Sequence, residues 1–327
     1  MGGYFLREGR KSRPKNPILF MMISVKIKQR LFLIVFGIVL SSCVIGIVTL
    51  RGKRPGFNLT KISSTFEPSS RWAVDPLGEW EMREVTKVLG QEFQYLGSGA
   101  QCYAFISQDG QYVLKFFKIK HLSPKRWLKW LPLPGLGQYR FNKIEKRIQR
   151  HHDLFSSYKL AYQNLKKETG VVFIHLNKTR DLGVRVNLYD RMLNCYRVDL
   201  DRYEFVLQKK AVLVRDRISS MMLRGDRGGA VDAIRSLLDQ VVIQCKKGYV
   251  DRDSGVSHNY GFVGKDVIHF DAGRITVDSA AKKPAYYQRE VLRVAKKLED
   301  WLNDSYPELI QDVEEIVNLT IDLPQEL

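Results

Sequence analysis

Hydrophobic and polar positions divide the chain into a short apolar block and a long, mixed remainder. Residues 31–50 read LFLIVFGIVLSSCVIGIVTL, twenty positions without a charge. At 1.5 Å per residue a helix of that length spans about 30 Å, the thickness of a bilayer's hydrocarbon core. Lys26, Lys28 and Arg30 stop the block on one side, and Arg51, Lys53 and Arg54 stop it on the other. The pattern predicts a membrane helix over 31–50 behind a basic segment, 1–30. Residues 51–75, polar and carrying Pro55, Gly56, Pro68, Ser69 and Ser70, read as a linker.

Periodicity changes repeatedly beyond that point. Trp80, Val85 and Val88 at helical spacing predict a helix near 78–89. FQYLGSG, YAFIS and YVLKFFKIK are rich in aromatic and β-branched residues, and Asp109-Gly110 marks a turn between the last two, so a glycine loop and a β-hairpin are expected. Phe141, Ile144, Ile148, Phe155 and Tyr158 place a long helix over 138–168. Strand-like runs follow around 172–176, 184–189 and 203–208. Ala233, Leu237, Val241 and Cys245 lie on one stripe of a helix over 229–247. Residues 266–277 read as a hairpin and 284–318 as one or two helices. Strands with one helix precede a mostly helical stretch, which predicts two unlike lobes of an α+β domain.

Composition adds a core and a charge asymmetry. A chain that is 44% hydrophobic has ample apolar material to fold. Of the 53 Lys and Arg, 11 lie in residues 1–54 beside a single acid, Glu8, so +10 of the net +18 flanks the apolar block. Such flanks set topology and attract anionic headgroups. No nucleic-acid motif accompanies them, and no nucleic-acid partner is expected. Cys43, Cys102, Cys195 and Cys245 are scattered without C-x-x-C or nearby ligand histidines, which argues against a zinc site or disulfide framework. Leu40-Ser41-Ser42-Cys43 also resembles a lipobox, and a start at Met21 or Met22 would make residues 22–43 resemble a signal peptide. The apolar run continues seven residues past Cys43, which favours an uncleaved anchor. Six basic residues in 11–30 against four in 51–70 favour an outside domain; a start at Met22 cancels that bias. Orientation stays open.

Four elements carry candidate chemistry. Gly97-Ser98-Gly99 stands before a strand, where glycines let backbone N–H groups approach phosphate oxygens and where a simple tight turn would look the same. Lys115 lies in YVLKFFK and could face solvent or a nucleotide's phosphates. Asp251-Arg252-Asp253 is followed by Asn259. Asp271-Ala272-Gly273 follows the apolar Val267, Ile268 and Phe270. One carboxylate near an attacking hydroxyl and an Asn/Asp pair for Mg²⁺ are what phosphoryl transfer requires.

Over roughly residues 90–280 the sequence resembles the protein-kinase-like superfamily. Leu96-Gly97-Ser98-Gly99 with Ala104 resembles the glycine-rich loop. Val113-Leu114-Lys115 resembles V-A-I-K, Asp251-Arg252-Asp253 through Asn259 resembles H-R-D…N, and Asp271-Ala272-Gly273 resembles D-F-G. The resemblance implies a bilobal fold within 76–327: a β-rich N-lobe with one long helix, about 76–208, and a helical C-lobe, about 209–327. It implies ATP with Mg²⁺, Lys115 on phosphates, Asp253 as base with Asp251 as its rival, and Asn259 and Asp271 on metal. Glu145 is the candidate partner of Lys115, or else a solvated helix acid beside Lys143 and Lys146.

The sequence departs from the pattern in several places. Cys102 replaces the third loop glycine, Asp253 to Asn259 is six residues rather than five, and Gly255 stands where a Lys is usual. His258 has no assigned role. Only 54 residues follow Gly273, without A-P-E. This compactness resembles bacterial kinase-like enzymes that phosphorylate lipopolysaccharide sugars. The expectation is a membrane-anchored phosphotransferase whose acceptor is a membrane glycolipid or a protein. The alternatives are a pseudokinase scaffold and an extracytoplasmic anchored interaction domain. ATP places the domain in the cytoplasm under the first reading. Two Trp among the basic residues of 118–131 suit contact with a membrane surface, or an insertion packed on the small lobe.

Overall fold

The computed structural model describes Phe36, Gly37, Ser41 and Ser42, then residues 56–122, 137–251 and 259–321. The chain divides into two units, residues 1–56 and 57–327. In the first, the Ser41 hydroxyl donates to the Gly37 carbonyl at 2.7 Å within helical backbone. The rest of the expected span 31–50 lies outside the described residues. Among those described, no helix is long and apolar enough to cross a membrane.

In the second unit, α1 (Glu79–Leu89) precedes three consecutive antiparallel strands, β1 (Glu92–Ser98), β2 (Cys102–Ser107) and β3 (Tyr112–Phe117). The Asp109-Gly110 turn joins β2 to β3, with Gly110 at φ 71°, which favours glycine. A short helix, α2 (Ile119–Leu122), follows, then α3 (Gly137–Asn164) and α4 (Lys166–Thr169). Strands β4 (Val171–His175), β5 (Arg185–Tyr189), β6 (Cys195–Asp199) and β7 (Phe205–Lys209) complete a seven-stranded sheet in the order β4-β7-β3-β2-β1-β5-β6.

Alternation along the strands gives this sheet two apolar faces. Leu114 and Phe116 of β3 and Phe205 and Leu207 of β7 join Phe93, Phe105 and the α1 residues Val85, Val88 and Leu89. Phe117 and Val206 turn the other way, onto Leu154, Phe155, Tyr158 and Tyr162 of α3 and onto Ala272 and Ile275. The long helix and the Asp-x-Gly segment therefore share one face of the sheet.

The helical half begins with β8 (Val212–Leu213), α5 (Val214–Met222) and α6 (Arg227–Lys246). Asp226 caps α6 by accepting from the Gly229 amide at 2.8 Å. Next come β9 (Tyr249–Asp251), β10 (Tyr260–Val263), β11 (Asp266–His269), β12 (Ile275–Val277), α7 (Pro284–Ser305) and α8 (Ile310–Ile321). Ile218, Ile234, Leu238, Val291, Leu302 and Val313 are among the side chains that form its core.

Several expectations need correction. Residues 57–75 are not a free linker: Phe57, Ile62 and Trp72 are buried in the two sheet-face cores. Their polar and proline-rich surroundings masked three large apolar anchors. Residues 266–277 are not a hairpin, because β11 pairs with β10 and β12 pairs with β9. The turn lies earlier, at Gly264 with φ 63°. Strand β6 was not expected, since Cys195, Tyr196 and Arg197 present little apolar signal. The α3 stripe is buried only from Leu154 onward; Phe141 and Ile148 are exposed. Trp80 is likewise exposed on α1.

Candidate active site

The site is assembled around the backbone of Phe270. Its carbonyl accepts from Lys115 Nζ at 2.7 Å, and its amide donates to the Asn259 carbonyl at 2.9 Å. Asp271 follows directly. Three of the residues singled out by sequence, 156 positions apart along the chain at the extremes, thus meet within one residue of a single peptide unit. Strand β3 supplies Lys115 from the sheet, while the β10–β11 hairpin holds Asn259 beside Phe270.

Lys115 and Asp271 line a cavity of about 380 Å³, within the size range of small-ligand sites. Leu96, Ala104, Val113 and Leu213 give it apolar walls, and Lys210 and Ala211, between β7 and β8, close one side. Gly99, Ala100 and Gln101 form the turn above it. A Cβ added at Gly97 or Gly99 would meet nothing within 4 Å, and neither residue has positive φ. Packing and backbone geometry therefore do not require glycine there; its effect is to leave open space beside the strand. Ser98 pairs with Tyr103 across the hairpin.

Burial lowers the pKa of Lys115, and the nearby Asp271 charge opposes that shift. Cys102 lines the same cavity; burial pushes its thiol up to about 12, against the influence of Lys115. Tyr158, from α3, hydrogen-bonds Cys102 and also has its pKa raised, mainly by burial. An ammonium, a carboxylate and two neutral polar groups therefore meet at the end of the cavity nearest α3.

The other predicted residues occupy different places. Asp251 is nearly fully buried, with Oδ2 3.2 Å from Nε2 of the buried His269. Nδ2 of Asn259 lies 3.5 Å from the same carboxylate oxygen, a long contact. His269 Nδ1 lies 3.1 Å from Gln244 Oε1, and Tyr260 stacks on the imidazole at 4.5 Å. Asp251 and Asn259 are not among the residues that line the cavity. Asp253 and His258 lie outside the described residues. Glu145 is exposed on α3 and forms no ion pair with Lys115. Thirteen residues separate it from Tyr158, roughly 20 Å along a helix, so it does not take the place of the lysine's partner.

Tyr158, Gln101, Asp216 and Leu213 also line the cavity, and the motif pattern did not nominate them. Tyr158 had a signal in the helical stripe, where it read as core. Asp216 stands in the first turn of α5, a position common for acids in any helix.

The donors near Phe270 suit a hard cation, with a carboxylate at Asp271 and an amide at Asn259. Among the described residues no group of three or more His, Cys, Asp or Glu could hold a metal. Phosphate oxygens would have to complete the coordination of an ion here, the usual arrangement for Mg²⁺ with a nucleotide.

No family model matches the chain, and no curated protein does. Solved structures similar to it include WbdD, at 16% identity and TM-score 0.37, over 72% of this chain and 47% of that one. A second WbdD structure, described as that of a bifunctional kinase-methyltransferase, matches at 16% identity and TM-score 0.33, over 72% and 48%. The ADP-bound aminoglycoside phosphotransferase APH(2'')-Ib matches at 12% identity and TM-score 0.26, over 75% and 98%. The chain spans about half the length of the WbdD structures.

Proposed function

We propose that the second unit binds ATP with Mg²⁺ in the 380 Å³ cavity and transfers the γ-phosphoryl group to an acceptor hydroxyl. The observation that carries this reading is the convergence of an open glycine turn, a buried ammonium and an Asp-x-Gly carboxylate on one cavity with apolar walls. A base stacks between Leu96, Ala104, Val113 and Leu213. The open space at Gly97 and Gly99 lets phosphate oxygens approach the backbone. Lys115 neutralises phosphate charge. Asp271, on the cavity wall, would hold the ion, joined by Asn259 if its side chain turned from Asp251 toward the cavity, and the ion would neutralise charge developing on the phosphate oxygens.

In the transfer, an acceptor oxygen forms a bond to the γ-phosphorus while the bond to the β,γ-bridging oxygen breaks, and ADP leaves. Asp253, in the segment between β9 and Asn259, takes the hydroxyl proton. Residues 31–50 anchor the chain in a membrane, with the second unit on the cytoplasmic side where ATP is found.

A pseudokinase is the second reading. It is favoured by the Lys115 bond to the Phe270 carbonyl and by the absence, among the described residues, of an ion pair to a helix acid. Calorimetric titration of full-length protein in detergent with ATP, with and without Mg²⁺, tests the nucleotide site. Phosphate release or transfer then separates enzyme from scaffold. No binding in either metal condition removes both readings.

A further inference from the structure

A second cavity, of about 820 Å³, shares Ala100 and Gln101 with the nucleotide cavity. Its remaining walls come from Lys118 after β3, from Arg150, Asp153 and Leu154 on α3, and from the segment that follows Asp271, through Gly273, Arg274 and Thr276. Lys118, Arg150 and Arg274 outnumber the one carboxylate, Asp153, although the Lys118 ammonium already donates to the Gly99 carbonyl and Arg274 has an interaction of its own. Asp153 is already engaged, accepting from Gln149 Nε2 at 2.6 Å.

Two buried polar atoms in this lining, Gln101 Oε1 and Thr276 Oγ1, have no hydrogen-bond partner. Leaving a buried polar atom unpaired costs about 1–3 kcal/mol, so such atoms call for an explanation. One comes from the glycine turn, where Gln101 Oε1 packs against Gly273, and one from β12. The Gln101 oxygen can only accept, and among the described residues no donor reaches it. A hydroxyl supplies one. The surrounding cations call for an anion.

We infer that this cavity holds the phosphate acceptor, and that the acceptor is a hydroxyl-bearing anion. The anionic group lies toward Arg150 and Lys118, and a hydroxyl lies at Gln101, the residue common to both cavities. This rests on the nucleotide reading for its direction of transfer, but the binding of a hydroxylated anion stands independently of it. A sugar phosphate and the headgroup of an anionic lipid share this chemistry.

The probe is myo-inositol 1-phosphate, titrated calorimetrically into full-length protein in neutral detergent, with unphosphorylated myo-inositol as the uncharged control. The phosphate is expected to bind at least tenfold tighter than the control. Arg150→Glu, an exposed helix position, is expected to weaken it tenfold or more, and Thr276→Val to weaken it about threefold. A non-hydrolysable ATP analogue should bind both variants within twofold of wild type. Failure of the analogue on wild type, with the inositol phosphate still bound, would remove the nucleotide reading and leave the anion site standing. Absence of phosphate binding at 10 mM, or binding insensitive to Arg150→Glu in a variant that melts like wild type, overturns the inference. Competition by phosphatidylinositol nanodiscs but not phosphatidylcholine nanodiscs assigns a lipid-borne anion; no competition by either assigns a free one, and the cavity assignment survives both.

Discussion

Lys115 Nζ and the Phe270 carbonyl lie 2.7 Å apart, joining the third strand of the sheet to the residue before Asp271. Removing a lysine ammonium from water is costly, and a single carbonyl offsets only part of that cost. Asp271 supplies charge compensation nearby. Residues that are unfavourable for stability yet brought to one cavity are characteristic of functional sites.

Lys115→Met tests that view. Methionine keeps the apolar stem and removes the charge, leaving Asp271 and the Phe270 carbonyl without their counterpart, and removing one partner of a buried charge contact is destabilising. The melting temperature is expected to fall. ATP affinity is expected to fall about 10- to 100-fold, roughly 1.4–2.7 kcal/mol. Unchanged affinity by calorimetry would remove Lys115 from the nucleotide site.

Gly273 is constrained by the glycine turn. An added Cβ would collide with Gln101 Oε1 and approach Leu154 Cδ1 to 3.1 Å. Gly273→Ala is therefore expected to push the flexible end of the Gln101 side chain away and to lower stability by no more than about 1 kcal/mol, the low end of overpacking costs. Gln101→Ala in the same chain should recover most of the loss. Urea denaturation of the two single variants and the double variant measures the coupling; additive losses would show that the two residues do not meet.

His151 gives a stability signature in acid. Its ring stacks on Phe66 at 4.0 Å and lies 4.2 Å from Phe155. Burial lowers its pKa to about 4, with a smaller contribution from His152. Between about pH 6.5 and 4 the unfolded chain binds the proton that the folded chain refuses, so stability falls as pH falls through that window. His151→Phe should flatten this part of the profile. Melting curves from pH 7 to 4 check it, and an unchanged slope would assign the acid sensitivity elsewhere.

How much of this was legible in the sequence depends on whether a signal was local. Asp109-Gly110, the long helix and the α6 stripe follow from turn chemistry and periodicity, and they stand within a few residues of the expected positions. Lys115 and Asp271 were singled out by local motifs, and both line one cavity. The pairing of β12 with β9 was not legible, because strand partners are chosen over a distance by the sheet. Glu145 was misplaced for a related reason: periodicity gives the face of a helix but not which turn reaches the site. Trp72 and Phe57 were hidden because three apolar anchors among many polar residues leave no period.

Three substitutions separate the roles of Asp251, Asp253 and Asp271. Asp251 lies against His269 with its carboxylate nearly excluded from solvent. A group held there supports the chain around it. Asp251→Ala is expected to leave His269 without its partner and to cost about 1–3 kcal/mol in stability, seen as a lower urea midpoint. Asp251→Asn keeps the shape and should lower stability less. Asp253→Asn is expected to leave stability and ATP affinity near wild type while turnover falls ~10²–10⁴-fold, the usual contribution of a general base. Asp271→Asn should instead weaken ATP binding only when Mg²⁺ is present, since an amide is a poorer ligand than a carboxylate. These outcomes differ in kind as well as size: a shift in unfolding for Asp251, a loss of turnover for Asp253, and a loss of metal-dependent affinity for Asp271. A turnover loss at Asp251→Asn larger than that at Asp253→Asn, in a variant with an unchanged urea midpoint, would move the base two residues upstream. The His269 contact would then belong to the chemistry, holding Asp251 as a reacting carboxylate.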